Sequence, residues 1–328
     1  MKIIVALSIF AVSSVFCLAQ TAPAPIIDMH LHALRADDQG PPPVSLCAPP
    51  TGYPPVESAE VWAARFMSLL KNPPCARPLR SPITDRELME RTLAILRRRN
   101  ITAVTSGPLV EQWYKEDRER IIPSLYFALV SDAPSPSGMR DLFKSGRFAA
   151  LGEVTIQYQG IAPGDQRFEP YLALAEEMDI PVGVHVGPGP PGAPYFPDSG
   201  SYRARLHSAL LLEDALVRHP KLRVYAMHAG WPMLDDMLAM LWVHPQLYVD
   251  VGVISWAIPR AAFHDYLRRI MEAGFGKRVM FGSDQMVWPE AIEVALSSIE
   301  SAEFLNDDQK RDILYNNAAR FLRLGRVK

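Results

Sequence analysis

Eight short apolar runs recur along the chain, at 26–30, 101–105, 125–130, 149–153, 182–186, 222–227, 247–251 and 279–282. Their length and their Val, Ile and Leu content predict strands buried on both faces, as in a parallel sheet. Between most of them apolar positions recur every three to four residues, predicting helices at 141–144 (short), 168–178, 208–219, 233–242, 260–273 and 290–300. Thr84-Asp85-Arg86-Glu87 has the spacing in which two side chains cap each other's backbone N–H, so a helix should run from there to about Arg99. A last helix at 308–324 closes the chain. Eight strand–helix units over about 300 residues predict an α/β fold, a (β/α)8 barrel, built as one domain over 20–328. An open, doubly wound sheet is the rival. No Gly-x-Gly-x-x-Gly or phosphate-binding loop follows any strand, so its nucleotide-binding version loses support.

Two stretches break the rhythm. Residues 33–82 form a proline-rich insertion after strand 1, with one helix expected at 58–70. Residues 187–205, containing GPGPPGAPYFPDSG, follow strand 5. Loops that follow strands emerge on the carboxyl face of a barrel, so both should shape its mouth, the first as a lid. Proline restricts the conformations each loop gives up on ordering.

The first residues are a targeting segment. Met1-Lys2 opens a nearly wholly apolar, uncharged run from Ile3 to Leu18, followed by Ala19-Gln20. That layout predicts a secretory signal peptide over 1–19, cut after Ala19; the run is short for a bilayer, which needs about 20 residues. The mature protein is then expected to be periplasmic or secreted, with no membrane segment. Cys17 leaves with the signal. Cys47 and Cys75 remain, and an oxidising compartment makes a disulfide between them the expectation. The net charge of −2 shows no basic excess, which argues against a nucleic-acid partner and for a small-molecule substrate. Self-association stays open.

Chemistry gathers where the strands end. Strand 1 ends in His30-Leu31-His32, strand 4 in Gly152-Glu153, strand 5 at His185, strand 6 at His228 and strand 8 at Ser283-Asp284. Alternation along a strand puts His30 and His32 on one face, a two-toothed grip for a metal. Imidazoles with a carboxylate suit zinc and related ions. Each residue alone has a plainer reading as a hydrogen-bonded or ion-paired side chain. Their coincidence at strand ends favours a metal site. The other histidines, His207, His219, His244 and His264, fall in or beside helices and are expected at the surface or at helix ends.

The segments IIDMHLH, LGEV, PVGVHVG, VYAMHAGWP and VMFGSD, in that order, with YNNAARFL near the end, resemble the amidohydrolase-related (type 2) branch of the amidohydrolase superfamily from about Ile26 to Leu324. The resemblance implies a metal-dependent TIM barrel. It implies His30, His32 and His185 as metal ligands and Asp284 as strand-8 ligand and proton shuttle. His228 would bind a second metal or sit by the reacting oxygen. Many binuclear relatives carry a carboxylated lysine at the end of strand 4; Glu153 stands there and would bridge two metals or hold substrate. One tightly bound zinc is favoured, with a second metal left open.

The expected activity is hydrolysis of an amide, lactone or other ester by a zinc-activated water, with Asp284 and His228 catalytic. The resemblance also implies an alternative, zinc-dependent decarboxylation of an aromatic or unsaturated acid. A carboxylate-binding arginine would favour it, with Arg203 and Arg205 as candidates. A binding protein that has lost catalysis is the reading from another class. Trp231, Trp288, Tyr158 and Gln157 are further candidates to wall the substrate.

Overall fold

Eight strands, each hydrogen-bonded to the next in chain order, curl into a nearly closed parallel barrel: β1 (Ile26–His32), β2 (Ile101–Ser106), β3 (Ile121–Phe127), β4 (Ala150–Val154), β5 (Val182–His185), β6 (Val224–Met227), β7 (Leu247–Asp250) and β8 (Val279–Met280). The computed structural model describes residues 23–197 and 199–325. The segment read as a signal peptide lies outside them. Among the described residues no helix is long and apolar enough to cross a membrane. The seam between β8 and β1 is closed by Met29 N–H donating to Phe281 O (2.9 Å) and Asp284 N–H to His30 O (2.6 Å).

Ile27, Met29, Val104, Ala150, Tyr225, Met227 and Met280 pack together with Ala318 and Phe321 of the final helix. The opposite strand faces pack on the helices, through Leu93, Leu96, Leu172, Leu241 and Leu296 among others. Burying each such side chain is worth about 1.5–3 kcal/mol, so the barrel is a stiff frame for whatever stands at its strand ends. Register slips occur in β1 between Asp28 and Leu31 and in β4 between Leu151 and Val154. These irregularities fall at His30 and Glu153. A bulge there re-aims a side chain and bends the strand locally.

Among the elements that differ from the sequence expectation are a helix that starts at Pro136 and runs to Lys144, longer than read, a short helix at Ile254–Ala257, and three more. The third strand begins at Ile121, four residues earlier than read, because Pro123 reads as a strand breaker. Its carbonyl still accepts Ala149 N–H at 2.8 Å, so the proline fits a ladder that needs only its acceptor there. A helix at Val110–Glu116 was not anticipated; it has no side-chain cap to announce it. The closing helix is three pieces, with a π turn over Asp312–Asn316 between Asp307–Arg311 and Asn317–Phe321. In this turn the Ile313 carbonyl accepts Phe281 N–H (2.9 Å), tying the final segment to β8. At 85–99 Thr84 Oγ1 accepts Glu87 N–H at 3.2 Å, while the Glu87 carboxylate reaches Ile83 N–H instead of closing on Thr84.

The 33–82 insertion lies across several βα loops. Trp288 Nε1 donates to Val44 O (3.1 Å) and Tyr53 OH to Ala257 O (2.7 Å). Trp62, at the start of the helix Trp62–Lys71, donates to Pro191 O at 2.5 Å, and Phe66 stands edge-on to Phe196 at 5.4 Å. Gly192 makes this fit: a Cβ there would lie 1.9 Å from the Trp62 ring. The insertion and the 187–205 loop thus interlock through aromatic and proline contacts. Cys47 and Cys75 are bonded, their Cα atoms 5.9 Å apart. A bridge over a sequence separation of 28 stabilises by about 3.5 kcal/mol in the chain-entropy model. Cys47→Ser with Cys75→Ser is therefore expected to speed limited proteolysis within 33–82 while the barrel's own melting transition persists; equal protease resistance would show that packing alone orders the insertion.

Candidate metal centre

Six side chains converge at the carboxyl end of the barrel: His30 and His32 from β1, Glu153 from β4, His185 from β5, His228 just after β6 and Asp284 after β8. All are buried. His30 Nε2 and His32 Nε2 lie 3.2 Å apart, and His32 Nε2 is 3.0 Å from Asp284 Oδ1. Glu153 links the two sides. Its Oε2 is 3.5 Å from His32 Nε2 and 3.8 Å from His30 Nε2, and its Oε1 is 2.5 Å from His185 Nδ1 and 3.7 Å from His228 Nε2. Three triplets have donor atoms within 4.8 Å of one another: His30–His228–Asp284, His30–His32–Glu153 and Glu153–His185–His228. His185 reaches the group through Glu153 and His228, so the four residues first expected to hold the ion are joined by two more.

The outer nitrogen of each imidazole faces a neighbour, which fixes the inner one. His32 Nδ1 meets Ser106 Oγ (3.3 Å), His228 Nδ1 meets Gly252 O (3.1 Å), and His185 Nε2 lies 3.4 Å from Tyr158 OH. His30 Nδ1 lies 3.3 Å from Asp250 Oδ2, without the alignment of a full hydrogen bond. His30, His32 and His228 therefore present Nε2, and His185 presents Nδ1. Asp284 Oδ1 is buried with no hydrogen-bond partner. Clustered imidazole lone pairs around an unpaired carboxylate oxygen fit a divalent cation.

Asp250, at the end of β7, was not singled out from the sequence. Its Oδ1 accepts the N–H groups of Gly252 (2.7 Å) and His228 (3.2 Å), while Oδ2 faces His30. One carboxylate thus orients two imidazoles. Asp250→Ala is expected to weaken metal affinity about 10–100-fold. A metal titration checks it; unchanged affinity would reduce Asp250 to loop support.

Burial pushes the carboxyl pKa values of Glu153 and Asp284 up, yet the facing imidazoles outweigh it. Glu153 is held well below its usual range by hydrogen bonds from His185, His228 and His30, and Asp284 below its range by His30 and His32. Both are anions. Burial lowers the His228 pKa, but its contact with Glu153 carries it above the ordinary value. Asp28 is raised to about 6 by burial, against hydrogen bonds from Ser283 and His30. His228 (φ 60°) and Asp284 (φ 47°) both hold left-handed backbone. That conformation costs roughly 1–3 kcal/mol per residue and collects at functional sites.

The other candidates scatter. Tyr158 stands beside His185. Gln157 is buried, its side-chain N–H on the His185 carbonyl. Trp288 is buried against Trp256 with its N–H on Val44, so it supports the insertion. Trp231 packs partly buried against the core. Arg203 is exposed, its guanidinium on the carbonyls of Gly200 and Tyr202, and Arg205 is exposed. Of the remaining histidines, His219 and His244 do stand at helix ends, as C-caps of Glu213–Arg218 and Leu234–Val243, and His207 ends the 3-10 turn Ala204–His207, but all three are buried, while His264 is half-buried within Arg260–Glu272. His219 sits between Glu169 and Glu176. His207 packs on His185 itself, and burial pushes its pKa down to about 3.

A barrel with histidines and acids at its strand ends defines a metal-centred TIM-barrel enzyme. The family model described as amidohydrolase, type 2, matches residues 27–324, and the chain belongs to that metal-dependent family. No curated protein matches the chain. Among solved structures it is similar to an uncharacterized TIM-barrel protein from Bordetella bronchiseptica (17% identity, 92% of this chain and 99% of that one, TM-score 0.62). It is also similar to a probable 2-pyrone-4,6-dicarboxylic acid hydrolase from Acinetobacter baumannii (15%, 92% and 100%, 0.55). A third is 5-carboxyvanillate decarboxylase from Sphingomonas paucimobilis (15%, 91% and 99%, 0.52). At these identities the likeness is one of fold.

Proposed function

We propose that the protein is an exported hydrolase of a small-molecule ester, lactone or amide, with one zinc ion held by His30, His32, His185 and Asp284. The carrying observation is the buried Asp284 carboxylate between facing imidazoles, its Oδ1 3.0 Å from His32 Nε2 and its Oδ2 3.8 Å from His228 Nδ1. Zinc, when bound, polarises an acyl oxygen and brings the pKa of a water to about 7. Asp284 takes the proton of the attacking water and delivers it to the leaving group. His228, held by Gly252 and with its pKa raised by Glu153 against burial, would donate from Nε2 in its charged form to the developing oxyanion. Glu153 fixes His185 and offers the bridging position should a second metal bind. The leader read at 1–19 and the Cys47–Cys75 bridge support an oxidising, extracytoplasmic location.

Decarboxylation is the second reading, since the fold is shared with a decarboxylase. Against it, Arg203 and Arg205 lie on the surface, and among the described residues no Lys or Arg is buried. Metal analysis of the mature chain, followed by esters, lactones, amides and aromatic acids, tests both. Acid release from an acyl substrate is expected. Carbon dioxide release alone would install the decarboxylase, and turnover of nothing by zinc-loaded protein would favour a binding role.

A further inference from the structure

On one flank β1 lies in parallel register with β2 as far as His32. On its other flank β8 ends at Met280, and residues 281–285 run on beside β1 as irregular chain. Asp284 and Met286, one on either side of Gln285, both hold left-handed backbone (φ 47° each). A chain kinked in this way cannot offer its N–H and C=O groups in strand register, yet the buried backbone of His32 still needs partners. The Gln285 side chain supplies them. Its Oε1 accepts His32 N–H at 3.0 Å, and its Nε2 donates to His32 O at 2.6 Å. A carboxamide carries the same donor and acceptor as a peptide group, so one side chain stands in for a rung of the ladder. Gln285 is wholly buried, and its own carbonyl accepts Trp288 N–H at 2.8 Å.

This rung lies between residues of the metal centre. The side chain that grips the His32 backbone belongs to the residue next to Asp284, whose N–H meets His30 O at 2.6 Å. The two segments so joined bring His32 Nε2 within 3.0 Å of Asp284 Oδ1. Ser106 Oγ, 3.3 Å from His32 Nδ1, sets the turn of the ring but not the place of its backbone. We infer that Gln285 is a positioning residue of the metal centre, whose carboxamide sets the spacing of His32 against Asp284. It acts through His32 and touches no reacting atom. The inference goes beyond the hydrolase reading and holds equally for a decarboxylase, because it concerns how the ion is held. Without the carboxamide, His32 N–H and C=O lose their partners on that flank, and β1 is free to shift against 281–285. Partners that orient a ligand cost about 10–100-fold in metal affinity when lost.

Two variants of the full chain test this. Gln285→Met keeps the length of the side chain and neither hydrogen bond; Gln285→Asn keeps the amide but is one methylene short of His32. Both are expected to weaken zinc about 10–100-fold in a competition titration. Both should also change the visible absorption of the cobalt(II)-substituted protein, which reports ligand geometry. A lower melting temperature with wild-type zinc affinity and an unaltered cobalt spectrum would make Gln285 a structural rung alone and overturn the role. Should neither variant fold, hydrogen exchange of the wild-type chain decides. A His32 amide already protected in metal-free protein supports the clamp. An amide protected only after zinc is added would show that the ion orders this strand, and would overturn it. Turnover enters none of these readouts, so the hydrolase reading stands or falls separately.

Discussion

Asp284→Asn is expected to yield folded protein whose turnover falls by at least ~10². The change keeps the size of the side chain and one oxygen, so packing at the end of β8 is conserved. In the proposed mechanism it removes the base, and a positioned general base contributes about 10²–10⁴. His32 Nε2, 3.0 Å from Asp284 Oδ1, would face an uncharged amide, and the group that both takes and returns the proton would be gone. His228→Ala should be crippled as well, through loss of the donor aimed at the oxyanion. Initial rates on the best acyl substrate, with a melting curve for each variant, provide the check. Near-normal turnover in both variants would rule out the mechanism.

The candidate metal centre was legible because its residues stand at strand ends, where local pattern and barrel geometry bring them together. His30 and His32 sit two apart on one strand, and any reading of the alternation places them together. Glu153, His185 and Asp284 each end an apolar run. What escaped depends on contacts distant in sequence. Asp250 also ends a strand, yet its importance lies in reaching His30 and the backbone of His228, which no spacing along β7 reveals. His207 looked like a residue at the head of a surface helix. The loop after β5 returns on itself at Gly187 and drives it inward. Trp288 looked like a substrate wall but spends its N–H on Val44, a partner 244 residues away. Arg203 sits beside a motif in sequence and faces outward in space, because carbonyls of its own loop hold it. Strand ends follow from periodicity; the neighbours of a side chain follow from how the loops fold.

Glu153 decides how many roles the centre divides among its acids. Its carboxylate touches both halves of the site, 2.5 Å from His185 and within 3.8 Å of His30, His32 and His228. Removing that charge leaves four imidazoles crowded round a gap, with Asp284 the remaining anion of the six. Partners that only orient a ligand cost about 10–100-fold in metal affinity when lost. Glu153→Gln is therefore expected to weaken the metal by more than ~10², because it removes an anion facing the donors themselves, and His185→Ala should do the same. Titration with zinc, read as ions bound per chain, separates the possibilities. A fall from two equivalents to one would make Glu153 the bridge of a binuclear centre. A weakened single site matches one zinc with Glu153 at its edge. Full affinity with a raised KM would move Glu153 off the metal and onto the substrate, leaving His30, His32, His185 and Asp284 to hold the ion alone.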